Sequence, residues 1–227
     1  MLYLATPSTP EVRDAMRAGL LGCITTPRQG NRIPDGTLWA ADNGRFGDGW
    51  RGYDDWWSWL QRRVAEYGPD RCLFAVAPDR PFDAAGTLED SLPWLPRIRA
   101  LGIPAGFAAQ NGSEDGEGLI PWDELGPDGV VFLAGDDEWK LGDGAAKVAD
   151  EARHRGLWVH MGRVNTRRRL RIAEVRGCSS VDGTTFAQFP DASVRTVLPW
   201  LADMRDRPSL FAALADGTEP TTCRRTL

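Results

Sequence analysis

Three aspartates and one glutamine stand where short apolar segments of the sequence give way to polar residues. These four residues are Asp42, Asp79, Gln110 and Asp182. Because apolar residues precede most of them, we expect their side chains to be partly desolvated. Two carboxyl groups in such a setting can divide nucleophilic attack and proton transfer between them. The pattern is typical of glycosyl chemistry, in which one carboxylate attacks an anomeric carbon while the other moves protons.

Each of the four residues also has a structural interpretation. Asp42 precedes Asn-Gly and Asp182 precedes Gly, so either aspartate could be a turn residue. Asp79 follows a proline and could cap a helix or a turn, and Gln110 could be a surface amide. Their joint placement after apolar segments favours the functional interpretation.

The segments that must position these residues alternate between short apolar runs and longer amphipathic stretches. Most of the apolar runs are continuous, as expected of parallel strands buried on both faces. The eight candidate strands are Leu2–Ala5, Leu21–Thr25, Leu38–Ala41, Cys72–Val76, Ala105–Ala109, Val130–Ala134, Trp158–Met161 and Ser179–Asp182. The candidate helices are Thr9–Ala18, Tyr53–Tyr67, Thr87–Leu101, Glu138–Arg155, Thr166–Arg176 and Ala192–Met204. We predict a long loop over Thr26–Thr37 and a mobile surface loop over Asn111–Gly118.

Eight strand units with intervening helices predict a single-domain α/β protein, a compact (β/α)8 TIM barrel. We expect the barrel to occupy residues 1–205 and a C-terminal tail to occupy residues 206–227. A doubly wound open sheet is the alternative, but no Gly-x-Gly-x-x-Gly or phosphate-loop motif supports its nucleotide-binding versions. In a TIM barrel the carboxyl ends of all strands meet at one face, so the four candidate residues should converge there.

Charge and composition restrict the partners. The net charge of −5 disfavours a nucleic-acid partner, but arginine, which suits phosphate contact, supplies 25 of the 27 basic residues. Six arginines fall between Arg163 and Arg176, where a solvated helix face is the alternative to phosphate binding. The four cysteines have no C-x-x-C spacing and there are two histidines, so we expect no metal and no cofactor. Without a membrane-spanning or signal-peptide pattern, we expect a cytoplasmic protein.

The order of these motifs resembles that of the queuine/guanine transglycosylase superfamily, over roughly residues 1 to 190. That family has an Asp-Ser-Gly-Gly-Phe-like stretch, and the segment Asp42-Asn43-Gly44-Arg45-Phe46 is similar, with an arginine in place of a glycine. Family strands that end in Asp, in Gln-Gly and in a Gly-rich turn resemble Phe74–Asp79, Ala108–Gly112 and Leu133–Gly135. The family's last motif, a glycine, a short helix and a strand that carries an aspartate, resembles Met161–Asp182.

The resemblance implies a role for each candidate residue. Asp182 would attack C1′ of the nucleoside and expel guanine, and Asp42 would carry the protons of the leaving and incoming bases. Asp79, Gln110 and the backbone of Gly135 would bind the purine edge. Guanine offers an N1–H and an amino group to a carboxylate, and a buried site of this kind rejects bases that lack those groups.

Contacts to the rest of a nucleic acid are expected around the same face. A base in a duplex would have to be flipped out, and Phe46 could stack on it, although rim packing is the alternative. Arg163, Arg167 and Arg168 follow the seventh strand and are candidates for phosphate binding.

The sequence departs from the tRNA enzymes of this superfamily in two ways. They carry a zinc subdomain near the C-terminus, whereas only Cys223 stands in that part of this chain. The chain is also much shorter than theirs. Both departures favour a resemblance to the compact phage enzymes that insert 7-deazaguanines into DNA, so we expect DNA rather than tRNA as the partner, with a 7-deazaguanine base as the second substrate.

Other functions stay open at this point. The first is exchange on tRNA, and the second is a hydrolytic barrel glycosidase or N-glycosidase that uses the same carboxylates. The third is a non-catalytic protein that binds a modified base. The sequence also leaves open whether an accessory protein or a second copy of the chain completes the site.

Overall fold

The structure, a computed structural model, describes residues 1–47, 50–116 and 118–205. The predicted tail, residues 206–227, and Cys223 within it lie outside these ranges. The described residues form a closed barrel of eight parallel strands that follow one another in sequence order. The strands are β1 Leu2–Ala5, β2 Gly22–Thr25, β3 Trp39–Ala41, β4 Cys72–Val76, β5 Ala105–Ala109, β6 Val130–Leu133, β7 Trp158–Met161 and β8 Ser180–Asp182. The predicted (β/α)8 barrel is therefore confirmed, and each predicted strand is within one residue of the observed one.

Helices connect most of the strands. They are α1 Pro10–Arg17, α2 Tyr53–Tyr67, α3 Ala84–Ser91, α4 Leu95–Arg99, α5 Trp122–Leu125, α6 Asp137–Leu141, α7 Asp143–His154, α8 Arg167–Val175, α9 Thr185–Gln188 and α10 Pro190–Arg205. As predicted, no helix lies between β2 and β3. Within the described ranges, no helix has the length and apolar character that a membrane span requires.

Two predicted helices are each divided in two. The stretch predicted as Thr87–Leu101 forms α3 and α4, separated by a turn at residues 92–94. Pro93 stands in this turn, where it has no backbone N–H to continue the helical hydrogen bonds. The stretch predicted as Glu138–Arg155 breaks at Gly142, whose extended backbone ends α6 before α7 begins.

Alternation along the strands sorts the side chains into two clusters. One set fills the barrel interior: Leu4, Ile24, Ala40, Phe74, Val76, Ala108, Val130 and Phe132. The intervening residues, such as Ala41, Ala75 and Ala109, pack against the surrounding helices in a larger cluster. Successive side chains of a strand point to opposite faces. The same alternation decides which of the residues just after each strand point into the mouth of the barrel.

Three cysteines lie in buried positions among apolar residues. Cys23, Cys72 and Cys178 are free thiols, and burial raises the pKa of each. Thiols of this kind are unreactive packing residues.

Candidate active site

A cavity of about 230 Å³ opens at the C-terminal ends of the barrel strands. Its lining residues include Asp42, Phe46, Asp79, Gln110, Arg163 and Asp182. Asp42 and Gln110 each stand two positions after an inward-facing alanine, Ala40 and Ala108, and so share its direction. The structure thus brings together the three aspartates and the glutamine that the sequence singled out.

Asp42 is partly buried in the cavity wall, directly after β3. Its Oδ1 accepts a hydrogen bond from the backbone N–H of Gly44 at 3.2 Å, where the glycine has a positive φ of 74°. Burial raises the pKa of the Asp42 carboxyl to about 7, and the negative charges of Asp182 and Asp79 add to this rise. A carboxyl with this pKa can both donate and accept a proton near neutral pH.

Asp79 is the centre of a buried set of amide contacts. Its Oδ1 accepts a hydrogen bond from Asn43 Nδ2 at 2.9 Å, and its Oδ2 accepts one from Gln110 Nε2 at 2.6 Å. Burial raises the pKa of Asp79 to about 6, against the opposing effects of Asn43 and of the charge on Arg45. Each carboxylate oxygen keeps a second lone pair, so Asp79 can still accept from a ligand.

Gln110 is oriented from both ends of its amide group. Its Oε1 accepts a hydrogen bond from the backbone N–H of Phe82 at 3.0 Å, while its Nε2 donates to Asp79. The amide is 1% exposed and lines the cavity. One amide hydrogen of Nε2 remains for a ligand.

Asp182 ends β8 and is held by two donors. Its Oδ1 accepts a hydrogen bond from the backbone N–H of Arg163 at 2.9 Å, and its Oδ2 lies 3.3 Å from Nε2 of His160. Arg163 reaches this position with a φ of 60°, a left-handed conformation that is uncommon for residues other than glycine. The backbone is therefore strained at the point where it aims an N–H at the carboxylate.

His160 lies wholly buried inside the barrel, between the rings of Phe74 and Phe132. Ser180 Oγ lies 2.8 Å from His160 Nδ1 and accepts a hydrogen bond from the indole N–H of Trp158 at 2.8 Å. Because an ionised carboxylate can only accept, we assign a proton to Nε2 of His160, which donates it to Asp182, while Ser180 Oγ is the partner of Nδ1.

The loop after β7 is tied to the end of β8. Tyr3 donates its hydroxyl hydrogen to the backbone carbonyl of Val164 at 3.0 Å, and Asn165 exchanges two hydrogen bonds with Thr184. A Cβ on Gly183 would collide with Asn165 Oδ1 and with the Tyr3 hydroxyl. The glycine after Asp182 is thus required by close packing, and Asp182 is a strand residue rather than a turn residue.

A buried lysine also contacts the loop after β7. Lys140 is 2% exposed and donates from Nζ to the backbone carbonyl of Gly162 at 3.1 Å. Burial and the charge of Arg163 lower the pKa of Lys140 to about 8, while Asp137 and Asp182 act in the opposite direction.

Two phenylalanines and an arginine form the rim of the cavity. Phe46 is 58% exposed and meets Phe82 edge to face at a centroid distance of 5.9 Å. The guanidinium of Arg163 lies 4.3 Å from the centroid of the Phe46 ring, and its Nη2 donates to the carbonyls of Ala134 and Gly135. Phe82, like Arg163, has a positive φ, of 67°. The two non-glycine residues with positive φ in the described ranges therefore both stand at this mouth.

Three other candidate residues lie beside the cavity rather than in it. Gly135 is not among its lining residues, and its carbonyl is already bonded to Arg163. Arg167 and Arg168 are exposed in the first turn of α8, where Arg167 forms an ion pair with Asp203 at 2.6 Å. Arg163 turns its side chain to the rim instead of to open solvent, which limits its use as a phosphate ligand.

Sequence reasoning missed His160, Asn43 and Phe82. His160 could have been identified from the sequence. It stands two positions before Gly162, which lines the cavity, and residues two positions apart on a strand share a face. Asn43 appeared only as part of a turn motif, yet it joins β3 to β4 through Asp79 and the carbonyl of Ala77. The surface loop after β5 is attached to the segment after β6 at two points, where Asn111 bonds to Asp136 and Glu114 bonds to the Trp139 indole. Glu117 of that loop lies outside the described residues.

No cluster of three or more His, Cys, Asp or Glu side chains in the described ranges could hold a metal ion.

Comparisons with known proteins give a likeness in fold. No protein-family model matches the sequence, and no curated protein matches it either. Among solved structures, the chain is similar to the YdjI aldolase from Escherichia coli K12, with 13% identity over 96% of this chain and 85% of that one, at a TM-score of 0.46. It is also similar to the YkuI protein of Bacillus subtilis, which has an EAL domain and was solved with its substrate c-di-GMP and calcium. That match has 13% identity over 88% of this chain and 51% of the other, at a TM-score of 0.42.

Proposed function

We propose that this protein is a base-exchange transglycosylase of the queuine/guanine type, which replaces a guanine in nucleic acid with a 7-deazaguanine through a covalent intermediate on Asp182. The observation that carries the proposal is the shared cavity of Asp42 and Asp182 at the mouth of a closed barrel. The two carboxyl groups have different surroundings, because Asp182 is held by an N–H and an imidazole while Asp42 has one backbone donor. Such a difference suits a nucleophile and a proton carrier.

In the first half of the reaction, the carboxylate of Asp182 attacks C1′ of the target nucleoside. A C1′–O bond forms, the C1′–N9 bond breaks, and the electron pair goes to the departing guanine. Asp42, protonated at this stage, supplies the proton that makes the leaving base neutral. The donors on Asp182 keep both of its oxygens oriented, so little rearrangement is needed before attack.

In the second half, a 7-deazaguanine takes the place of guanine in the cavity. Asp42, now ionised, accepts its N9 proton while N9 attacks C1′ and the ester bond to Asp182 breaks. The carboxylate of Asp182 and the proton on Asp42 are thereby restored. The exchange involves no oxidation, reduction or external energy source.

The buried amide set supports recognition of the base. Asp79 in its ionised form can accept from the N1–H and the amino group of guanine, and Gln110 can donate from its remaining N–H. Asn43 and Gln110 hold Asp79 in a single orientation. Because 7-deazaguanines keep the same N1–H and amino group, one site can take both bases.

Phe46 and Phe82 are the proposed stacking surfaces for the flipped base. The substrate strand in this proposal is DNA, and tRNA is the alternative that the experiment below separates from it. Arg167 and Arg168, exposed in the first turn of α8, remain proposed phosphate contacts.

Release of labelled guanine tests the proposal. The protein is incubated with DNA, and in parallel with tRNA, that carries labelled guanine, together with a 7-deazaguanine. We expect label release that matches incorporation of the new base, no release by Asp182→Asn, and unchanged release by Asp70→Asn. Asp70 is a matched control because it is exposed in the 3-10 turn Pro69–Arg71, which leads into the opposite end of β4.

Three outcomes would contradict the proposal. Release without incorporation would indicate a hydrolytic N-glycosidase. Binding of the base without release would indicate a binding protein. Normal exchange by Asp182→Asn would remove the proposed nucleophile.

A further inference from the structure

A groove of about 500 Å³ lies on the flank of the barrel, next to the mouth. We call it the arginine-tryptophan groove and define it by Arg28, Trp50, Arg51, Trp56, Trp59 and Arg62. It is larger than the cavity of Asp42 and Asp182, and it contains none of the residues that the proposed exchange uses.

One face of α2 forms the longer wall of the groove. Asp55, Ser58, Trp59 and Arg62 recur at spacings of three and four residues, so they share a side of the helix. The first residues of the β2–β3 loop, Pro27 and Arg28, form the opposite wall. Since this loop leaves β2 at its C-terminal end, the groove opens at the catalytic end of the barrel.

The charge of the groove is positive although the protein as a whole is negative. Arg28, Arg51 and Arg62 are exposed, and Asp55 is the one acidic side chain among the lining residues. Across the part of the chain that the structure describes, none of these three guanidinium groups forms an ion pair. Other arginines of the same chain, including Arg63 and Arg167, do pair with carboxylates. The groove therefore gathers three cationic groups against one carboxylate, and none of the three is paired within the described fold.

The aromatic side chains give the groove a second chemical character. Trp50 is half-buried and is the indole of the groove that a ligand can reach, whereas Trp56 and Trp59, at 1% and 6% exposure, form its packed floor. Indole and guanidinium groups together suit a ligand that has flat rings and anionic groups in alternation. Single-stranded nucleic acid is such a ligand, because its bases stack on aromatic side chains while its phosphates contact arginines.

The wall between the groove and the cavity is the loop that carries Asp42. The guanidinium of Arg45 lies 4.7 Å from the centroid of the Trp50 ring, and the backbone N–H of Arg45 donates to Asn43 Oδ1. On the other side, a Cβ on Gly44 would lie 3.3 Å from the ring of Pro27. One short loop thus separates the groove from the proposed proton carrier.

We propose that the arginine-tryptophan groove binds the single-stranded segment of the substrate that flanks the exchanged guanine. The inference rests on the proposed function for the identity of the strand, and on the groove's own charge and aromatic surface for its chemistry. With a single-stranded substrate, the nucleotides that flank the guanine in the cavity lie unpaired at the mouth, next to Arg28 and Trp50. The groove holds that segment and so fixes the position of the target base.

Fluorescence anisotropy with a labelled single-stranded DNA of about 16 nucleotides tests this inference. The test variant is Arg28→Ala/Arg51→Ala/Arg62→Ala in the full chain. The control variant is Arg17→Ala/Arg153→Ala/Arg155→Ala, which removes the same charge from the ends of α1 and α7. Thermal unfolding establishes that both variants are folded, and Asp182→Asn is measured alongside.

We expect the wild-type protein and the control variant to bind the strand alike. Each phosphate contact contributes roughly 0.7 to the slope of log affinity against log salt for a single strand, so the test variant should lose about 2 from that slope. Between roughly 50 and 200 mM salt, the wild-type affinity should therefore fall roughly 15- to 20-fold more than that of the test variant.

The inference is overturned if the wild-type protein does not bind the strand, or if the test variant keeps the wild-type slope. It is also overturned if poly-glutamate displaces the strand as readily as unlabelled DNA does, because the groove would then be a general site for anionic chains. Guanine release by Asp182→Asn and wild type is measured separately. If strand binding depends on the groove but no guanine is released, the inference about the groove stands and the proposed exchange is rejected.

Discussion

Asp42 and Asp79 have raised pKa values for the same reason, burial, but the proposed reaction needs them in opposite protonation states. Asp42 must carry a proton to donate it to the leaving guanine, and its pKa is raised to about 7. Asp79 must be ionised to accept from the base, and its pKa is raised to about 6. The two requirements are met together only in a narrow range of pH.

We therefore predict a bell-shaped pH profile of kcat/KM for guanine release. Activity should fall below about pH 6 as Asp79 is protonated and above about pH 7 as Asp42 ionises. Initial rates of label release from about pH 4.5 to about pH 9 measure the profile. Asp79→Asn should release guanine at a much lower rate, and that rate should no longer fall at acid pH. If the rate of Asp42→Asn still falls above about pH 7, the assignment of Asp42 is contradicted.

His160 is a positioning residue in this account, since it contacts Asp182 and not the substrate. His160→Phe keeps a ring between Phe74 and Phe132 but removes the hydrogen bond to Asp182 Oδ2. Loss of one hydrogen bond to a charged group costs about 1.5–3 kcal/mol, so we expect kcat to fall roughly 10- to 100-fold while KM for the nucleic acid is unchanged. His160→Gln, which keeps a donor, should recover part of kcat. Equal activity in His160→Phe and the wild-type protein would exclude the role.

At the scale of elements, the loops that follow β7 and β8 must stay locked together for Arg163 to present its N–H to Asp182. The two loops are held together by hydrogen bonds of Tyr3, Asn165 and Thr184, and Gly183 lets them approach each other closely. We predict that Gly183→Ala destabilises the protein by about 1–3 kcal/mol through overpacking, and that it lowers exchange as well.

Urea unfolding of Gly183→Ala and Gly30→Ala measures this effect. Gly30 is the control because a Cβ there would meet nothing within 4 Å, and its substitution should change stability by less than about 0.5 kcal/mol. Equal stability of the two variants would show that the contact between the two loops does not depend on Gly183.

The sequence predicted the barrel because its strands are apolar runs of the length that parallel strands need. It did not predict the breaks at Pro93 and Gly142, because the apolar period continues across both and local backbone chemistry interrupts it. The site aspartates were predictable from their places after strands. The contact between His160 and Asp182 was not, because it depends on the register of β7 against β8.

At the scale of the whole molecule, the distribution of charge matters more than its sum. A net charge of −5 coexists with a groove of three arginines near the mouth. The closed barrel places residues about 140 positions apart around one cavity. The central claim is that two of these act in one reaction, in which Asp182 attacks the sugar carbon C1′ and Asp42 carries the protons of the exchanging bases.

Capture of the covalent intermediate tests that claim most directly. The protein is mixed with a guanine-containing oligonucleotide without an incoming base, quenched in acid and digested, and the peptides are analysed by mass spectrometry. We predict a DNA adduct on the peptide that contains Asp182, its disappearance when a 7-deazaguanine is added, and slower formation in Asp42→Asn. An adduct on another residue, or exchange at full rate with no adduct at any time, would contradict the account.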